Sequence, residues 1–211
     1  MTTPLRIDFV SDVVCPWCAI GLKSLEAALE KTGVPVDLHI QPFELNPDMA
    51  PEGEDLYEHI AKKYGSSPQQ FEANHARIAE RGAEVGFTFG KRSRIVNTFD
   101  AHRLLHWAGE EGRQQALKDA LLAAYFTDGK DPSDHEVLAQ CAESVGIDGA
   151  RAREILAGDA HAAEVRARQR YYHGLGIHAV PAIIFNERHL IEGGQPVEVF
   201  EQALRQLAAA E

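Results

Sequence analysis

The sequence predicts an α/β fold interrupted by a large all-helical insertion. Three observations predict it. Residues 5–40 read as strand, helix, strand; residues 182–208 read as a hairpin followed by a helix; and the long stretch between them carries helical patterning almost throughout. A β-α-β opening that is completed only near the C-terminus makes one α/β unit, with the helical middle inserted into it.

Each element has a local cause. Leu5, Ile7 and Phe9 alternate with Arg6 and Asp8, the period of a strand. A helix over 16–32 follows, with Cys15 at the N-cap and Pro16 at the first helical position, where a missing N–H is harmless. Leu22, Leu25 and Leu29 keep its period and Gly33 stops it. Val36, Leu38 and Ile40 alternate with Asp37 and His39 as a second strand.

In the middle, Ser67-Pro68-Gln69-Gln70 orders a cap, a first-turn proline and a capping-box glutamine. Asn97 or Thr98 caps a helix carrying Phe99, Leu104, Leu105 and Trp107; Leu117, Leu121, Leu122, Tyr125 and Phe126 mark another. Ser133 and Glu136 form a second capping box ahead of a stripe of Val137, Leu138, Cys141 and Val145, which makes Cys141 a small buried hydrophobe. Asp148 and Asp159 read as two more helix starts. Ala182–Phe185 and His189–Glu192 flank a turn at 186–188, Gly193-Gly194 breaks the chain, and a helix runs from Pro196 to Ala208 with Val199, Phe200, Ala203, Leu204 and Leu207 on one face. The expected division is residues 1–46 and 159–211 for the α/β unit and 47–158 for the insertion, with no repeat or flexible linker.

Composition narrows the function. The 211 residues include 32 acidic and 21 basic side chains, a net charge of −11, which argues against nucleic acid or an anionic membrane as partner. No apolar run approaches the ~20 residues of a membrane span. Met1-Thr2-Thr3-Pro4 leads directly into a strand without an apolar leader, so a cytoplasmic location is expected. With three cysteines in a reducing compartment, a disulfide is expected to be transient and catalytic.

Cys15-Pro16-Trp17-Cys18 is the motif that carries chemistry. Residues three apart share one helix face, so the two sulfurs can close a disulfide with little backbone movement. Cys15 also sits at the positive end of the helix dipole, which favours the nucleophilic thiolate. The rival readings are a mixed Cys/His zinc site and a pair of structural thiols; three cysteines cannot build a four-thiolate site. Downstream, Val180-Pro181 precedes the hairpin. One reading is a proline at a strand's first residue; the other is a cis bond that offers the Val180 backbone to an extended substrate.

These segments, with Asn97-Thr98-Phe99-Asp100-Ala101-His102-Arg103-Leu104 and Gly193-Gly194-Gln195-Pro196, resemble the thioredoxin superfamily, and within it the DsbA-like thiol–disulfide oxidoreductases that carry a helical insertion. The match is to the cytoplasmic FrnE-type branch. The resemblance implies a thioredoxin fold, an attacking Cys15, a resolving Cys18 and a cis Pro181 facing them. Pro16, Trp17, Val180 and Pro181 become the expected substrate contacts, with thiol- or disulfide-containing proteins as partners and no cofactor beyond the redox-active dithiol. Two departures stand out: His178-Ala179 where relatives carry smaller residues, and Gly193-Gly194-Gln195 for the commoner Gly-Ala-Gln. Trp17 replaces the histidine of strongly oxidising relatives and supplies no charge, so a more reducing disulfide is expected. Asp12 reads first as a solvated turn residue.

Two other functions share this outline. A glutathione-dependent isomerase or transferase acting on small aromatic molecules has the same fold, with glutathione as co-substrate or reductant; the second cysteine argues for dithiol chemistry instead. A redox-switched polypeptide-binding module would use the insertion as an apolar surface. His102 and His106, four apart on one helix, read as a packed or solvated face, so no metal ligand is expected. Glu44, after the second strand, stands where a proton relay to Cys18 could be placed.

Overall fold

β1 (Leu5–Ser11), α1 (Pro16–Thr32) and β2 (Val36–Pro42) form the β-α-β start, β1 and β2 pairing in parallel from Leu5–Val36 to Ser11–Pro42. The computed structural model describes residues 4–210; the opening Met1-Thr2-Thr3 and Glu211 lie outside the described residues. α1 ends as expected, with Gly33 in the left-handed region at φ 64° and its N–H returned to the Leu29 carbonyl.

β3 (Glu54–Asp55) and β4 (Arg94–Ile95) make a two-residue antiparallel ladder around α2 (Leu56–Tyr64) and α3 (Pro68–Glu84). Neither short strand has a pattern of its own in the sequence. The Ser67/Gln70 capping box is present in both directions and contributes about 1 kcal/mol. α4 (Phe99–Glu110) starts after Asn97, whose side chain accepts the Phe99 N–H at 2.9 Å; Thr98 makes no cap bond. α5 (Gln114–Leu122) runs on into a π-helical turn at Ala123–Thr127, so Tyr125 and Phe126 belong to a widened last turn.

α6 (His135–Ser144) and α7 (Gly149–Ala157) correct one expectation and meet another. Ser133 does not cap α6. It is held by Asp131, and Asp134 one residue later accepts from the Glu136 and Val137 N–H groups, a carboxylate serving the helix end better than the hydroxyl. Glu136 is spent on Arg153. Asp148 caps α7 as read. Asp159 does not cap a helix: α8 (Ala162–Gly174) begins three residues later behind His161, and only the Asp159 carbonyl is used.

β5 (Ala182–Phe185) and β6 (His189–Glu192) form the hairpin. Asn186 and Glu187 both have positive φ (48° and 56°), the tight turn that matches strand twist. β5 lies antiparallel to β1, giving a four-stranded sheet in the order β2-β1-β5-β6, and α9 (Val197–Ala209) packs beside α1.

Alternation along β1 divides the core. Leu5, Ile7 and Phe9 enter the large cluster shared with α1, α9 and the inserted helices; Val10 points to the other face, into a small cluster with Phe43, Tyr172, Ile177 and Ala182. Cys141 is buried in the large cluster, on the stripe where its spacing put it.

Candidate active site

β1 delivers the chain to a corner at residues 12–14, and α1 starts there. Cys15 is the N-cap, extended at φ −93° and ψ 113°, and its Sγ accepts the Cys18 N–H at 3.3 Å. Sulfur thus takes the place that a serine or aspartate oxygen usually fills, among first-turn N–H groups that favour an anion. The Cys15 thiol donates to the Val180 carbonyl at 3.7 Å, and the Val180–Pro181 bond is cis. Both thiols are free.

The two cysteines differ in access. Cys15 is 3% exposed yet lines a groove of about 480 Å³; Cys18 is fully buried and does not line it. Burial, with the Cys15 sulfur beside it, pushes the Cys18 thiol well above its ordinary value. Of the two thiols, only Cys15 faces the groove.

Close backbone approaches hold this corner. A Cβ on Gly21 would lie 3.2 Å from the Pro181 ring, and one on Gly194 would meet the Trp17 carbonyl at 2.8 Å. In this chain an alanine at Gly194 would press its methyl against the Cys-Pro-Trp-Cys turn. Trp17 is half-buried in the groove wall, with the Arg77 guanidinium 5.6 Å from its ring centre.

Asp12 is not a solvated turn residue. It is fully buried, accepting from the Val13 and Leu45 N–H groups at 2.7 and 2.8 Å and from His102 Nε2 at 3.1 Å. Burial alone would raise its pKa; the bond to His102 and the Leu45 N–H outweigh it and hold the carboxyl below its ordinary value. His102 is thereby a packed residue, and it is separated in role from His106. Glu44 is buried; one carboxylate oxygen is taken by Arg166 and Gln169, and the other has no hydrogen-bond partner among the described residues.

Sequence reading missed Lys118. This α5 residue is fully buried, and its Nζ has no hydrogen-bond partner among the described residues. It lies within electrostatic reach of Cys18, Asp12 and Cys15, and burial lowers its pKa. A signal was present: Lys118 stands three and four positions before Leu121 and Leu122, on the apolar stripe of its helix.

The groove between the thiol corner and α2/α3 has a consistent chemistry. Leu56, Ile60, Tyr64, Phe71, Ile78 and Ile95 supply its apolar wall, Lys63, Arg92, His59 and His75 its basic groups, and Asn46, Ser66, Gln70 and Asn74 neutral polar ones; among the described residues no aspartate or glutamate lines it, in a chain of net charge −11.

The profile of the DSBA-like thioredoxin domain family matches residues 6–205. The crystal structure of a probable DsbA oxidoreductase from Streptomyces coelicolor superposes with a TM-score of 0.90 at 36% identity, over 98% of this chain and 91% of that one. A 2-hydroxychromene-2-carboxylate isomerase superposes at 0.74 and 13% identity, over 97% of each chain. The cytosolic disulfide reductase DsbM of Pseudomonas aeruginosa, solved with GSH, superposes at 0.70 and 18% identity, over 97% and 99%; these two show likeness of fold. A sheet of order β2-β1-β5-β6 with helices inserted between β2 and β5, and a profile match over nearly its whole length, make this chain a member of the DSBA-like thioredoxin domain family.

Proposed function

We propose that the protein is a thiol–disulfide oxidoreductase of the cytoplasmic FrnE-type branch, in which Cys15 attacks and Cys18 resolves. The observation that carries this reading is the unequal placement of the two sulfurs: one caps a helix and faces a groove, the other is sealed behind it within reach of a buried lysine. The Cys15 thiolate attacks one sulfur of a substrate disulfide; a Cys15–substrate bond forms and the other substrate sulfur leaves as a thiolate. Cys18, beside the buried Asp12 and Lys118, passes its proton to the substrate thiolate just released and attacks the Cys15 sulfur. The mixed disulfide breaks, a Cys15–Cys18 disulfide forms and the second substrate thiol is released. The substrate gains two electrons and the enzyme dithiol loses them; an external thiol restores the dithiol. Trp17 and Pro16 flank the attacked sulfur, and the Val180 backbone beside cis Pro181 receives the extended chain.

Groove chemistry narrows the substrate. An apolar wall with four cationic or ionisable basic groups and no acid fits a disulfide that carries carboxylates next to it, such as an acidic peptide or a glutathione mixed disulfide. The DsbM structure with GSH supports glutathione as reductant or co-substrate, and the same groove would take an aromatic carboxylate if this were an isomerase.

Cys18→Ser separates the readings. Dithiol chemistry predicts loss of turnover and accumulation of covalent mixed disulfides on Cys15. Glutathione-dependent activity on a small aromatic molecule that survives Cys18→Ser would overturn the proposal.

A further inference from the structure

A second cluster of donor atoms stands away from the thiols, where α4 ends and α8 begins. His106 and Glu110 lie four apart at the C-terminal end of α4, and His161 comes across from the start of α8. His106 Nε2 is 3.8 Å from Glu110 Oε1, His161 Nδ1 is 3.9 Å from the same oxygen, and one donor from each residue lies within 4.8 Å of the other two. The two rings are 5.3 Å apart. We infer that His106, Glu110 and His161 form a divalent-metal site of the zinc type, joining α4 to α8.

Ligand type selects the metal. Two imidazoles and one carboxylate suit zinc, or cobalt in its place, far better than magnesium or calcium, which take all-oxygen shells. With bonds of about 2.0–2.2 Å, tetrahedral donors stand roughly 3.3 Å apart. The two His–Glu separations close to that by about half an ångström, most readily through Glu110, whose side chain is 58% exposed, while the two imidazole donors lie within 4.8 Å of each other. Both histidines are partly buried, so their rings are already placed by packing.

Local electrostatics supports a cation here. Glu110 and Glu164 both face His106; Arg168 opposes them. The C-terminal end of α4 adds negative dipole, against the positive start of α8. His161, at the start of α8, lies in the left-handed region at φ 61°. His102, one turn earlier on α4, takes no part, because its Nε2 is bound to Asp12.

Three protein donors leave a fourth position. His106 and Glu110 line a groove of about 490 Å³ along β2, so that position opens to an exchangeable ligand. The site is thus built to bind metal and clamp two helices while remaining open on one side.

Metal titration of the oxidised protein tests this, because a closed Cys15–Cys18 disulfide cannot ligate. Cobalt titrated by optical spectroscopy, and zinc by calorimetry, are expected to bind at one equivalent. Four-coordinate cobalt bands should appear without a thiolate charge-transfer band, and zinc should raise the melting temperature. His106→Gln and His161→Gln, on different helices, are each expected to weaken binding roughly tenfold or more, and Glu110→Gln to weaken it less. Circular dichroism confirms that each variant is folded, and Glu110→Gln, at an exposed side chain, keeps the comparison if either histidine variant unfolds. No binding by oxidised wild type at millimolar metal, a thiolate band in the cobalt spectrum, or undiminished binding in the folded variants would overturn the inference.

Discussion

Two grooves of this molecule have nearly the same volume, about 480 and 490 Å³, and different linings. The thiol groove is walled by aliphatic and aromatic side chains, carries Lys63 and Arg92, and has no carboxylate. The groove along β2 is lined by the acids Asp37 and Glu110, by His39, His102, His106 and Arg168, and by Leu38, Ile40, Pro42 and Leu105. Equal space therefore says little about function; the signs of the charges and the nucleophile on the wall decide what each can receive. The grooves are nevertheless linked. His102 lines the second, and its ring holds Asp12, which sits with Cys18 and Lys118 behind the first.

Breaking the first groove alone gives the largest effect. Cys15→Ser should abolish disulfide reduction in an insulin turbidity or glutathione-coupled assay while leaving metal uptake by the second groove unchanged. A variant that still turned over would remove the distinction between an outer and an inner sulfur.

Lys118→Met comes next and should act in two directions. Replacing a buried, unbonded ammonium with an apolar chain of similar shape should stabilise the fold by about 1–4 kcal/mol in urea unfolding at neutral pH. The folded pKa of Lys118 lies below its unfolded value, so the burial penalty is complete below the folded pKa and fades as pH rises toward the unfolded one. Wild type should gain on the variant as pH increases through that window. Release of the mixed disulfide should meanwhile slow, with a shifted pH profile. Unchanged stability and unchanged profile together would show that Lys118 is a bystander.

His102→Ala sharpens the link between the grooves. Removing the partner of a buried carboxylate should cost about 1–3 kcal/mol. Asp12 has a lowered folded pKa, so its contribution is present above the unfolded carboxylate value and is lost as pH falls through the folded one. In the variant that loss should move to higher pH, read as an earlier acid unfolding midpoint. Lys63→Gln should be mildest: KM for a carboxylate-bearing disulfide rises a few-fold with kcat nearly unchanged, as expected for a lost surface charge worth under about 1 kcal/mol.

Local signals made the frame legible. Alternation in β1 and β2, the Ser67 box, Gly33 and the hairpin turn each act over a few residues, so the chain announces them without knowledge of the rest. Ser133 misled because Asp134 took the same helix end, and local rules do not rank the two; Asp159 misled because α8 starts three residues later, behind His161 and without a side-chain cap. The thiol motif was equally plain. What lay around it was not: Asp12 looks like a turn residue until Leu45 and His102 close over it, and Glu110 meets His161 only through the packing of α4 beside α8. Contacts of that separation leave no periodic trace. Lys118 is the intermediate case, a charged residue sitting on an apolar stripe where the pattern could have flagged it.

Lys118 also bears on how such proteins can be recombined. It enters from α5, within the helical segment, while the sulfurs belong to β1–α1. Under the proposed dithiol chemistry, exchanging that segment would exchange the lysine beside the inner sulfur along with one wall of the groove, so a chimera with an intact cysteine motif is expected to shift in reduction potential.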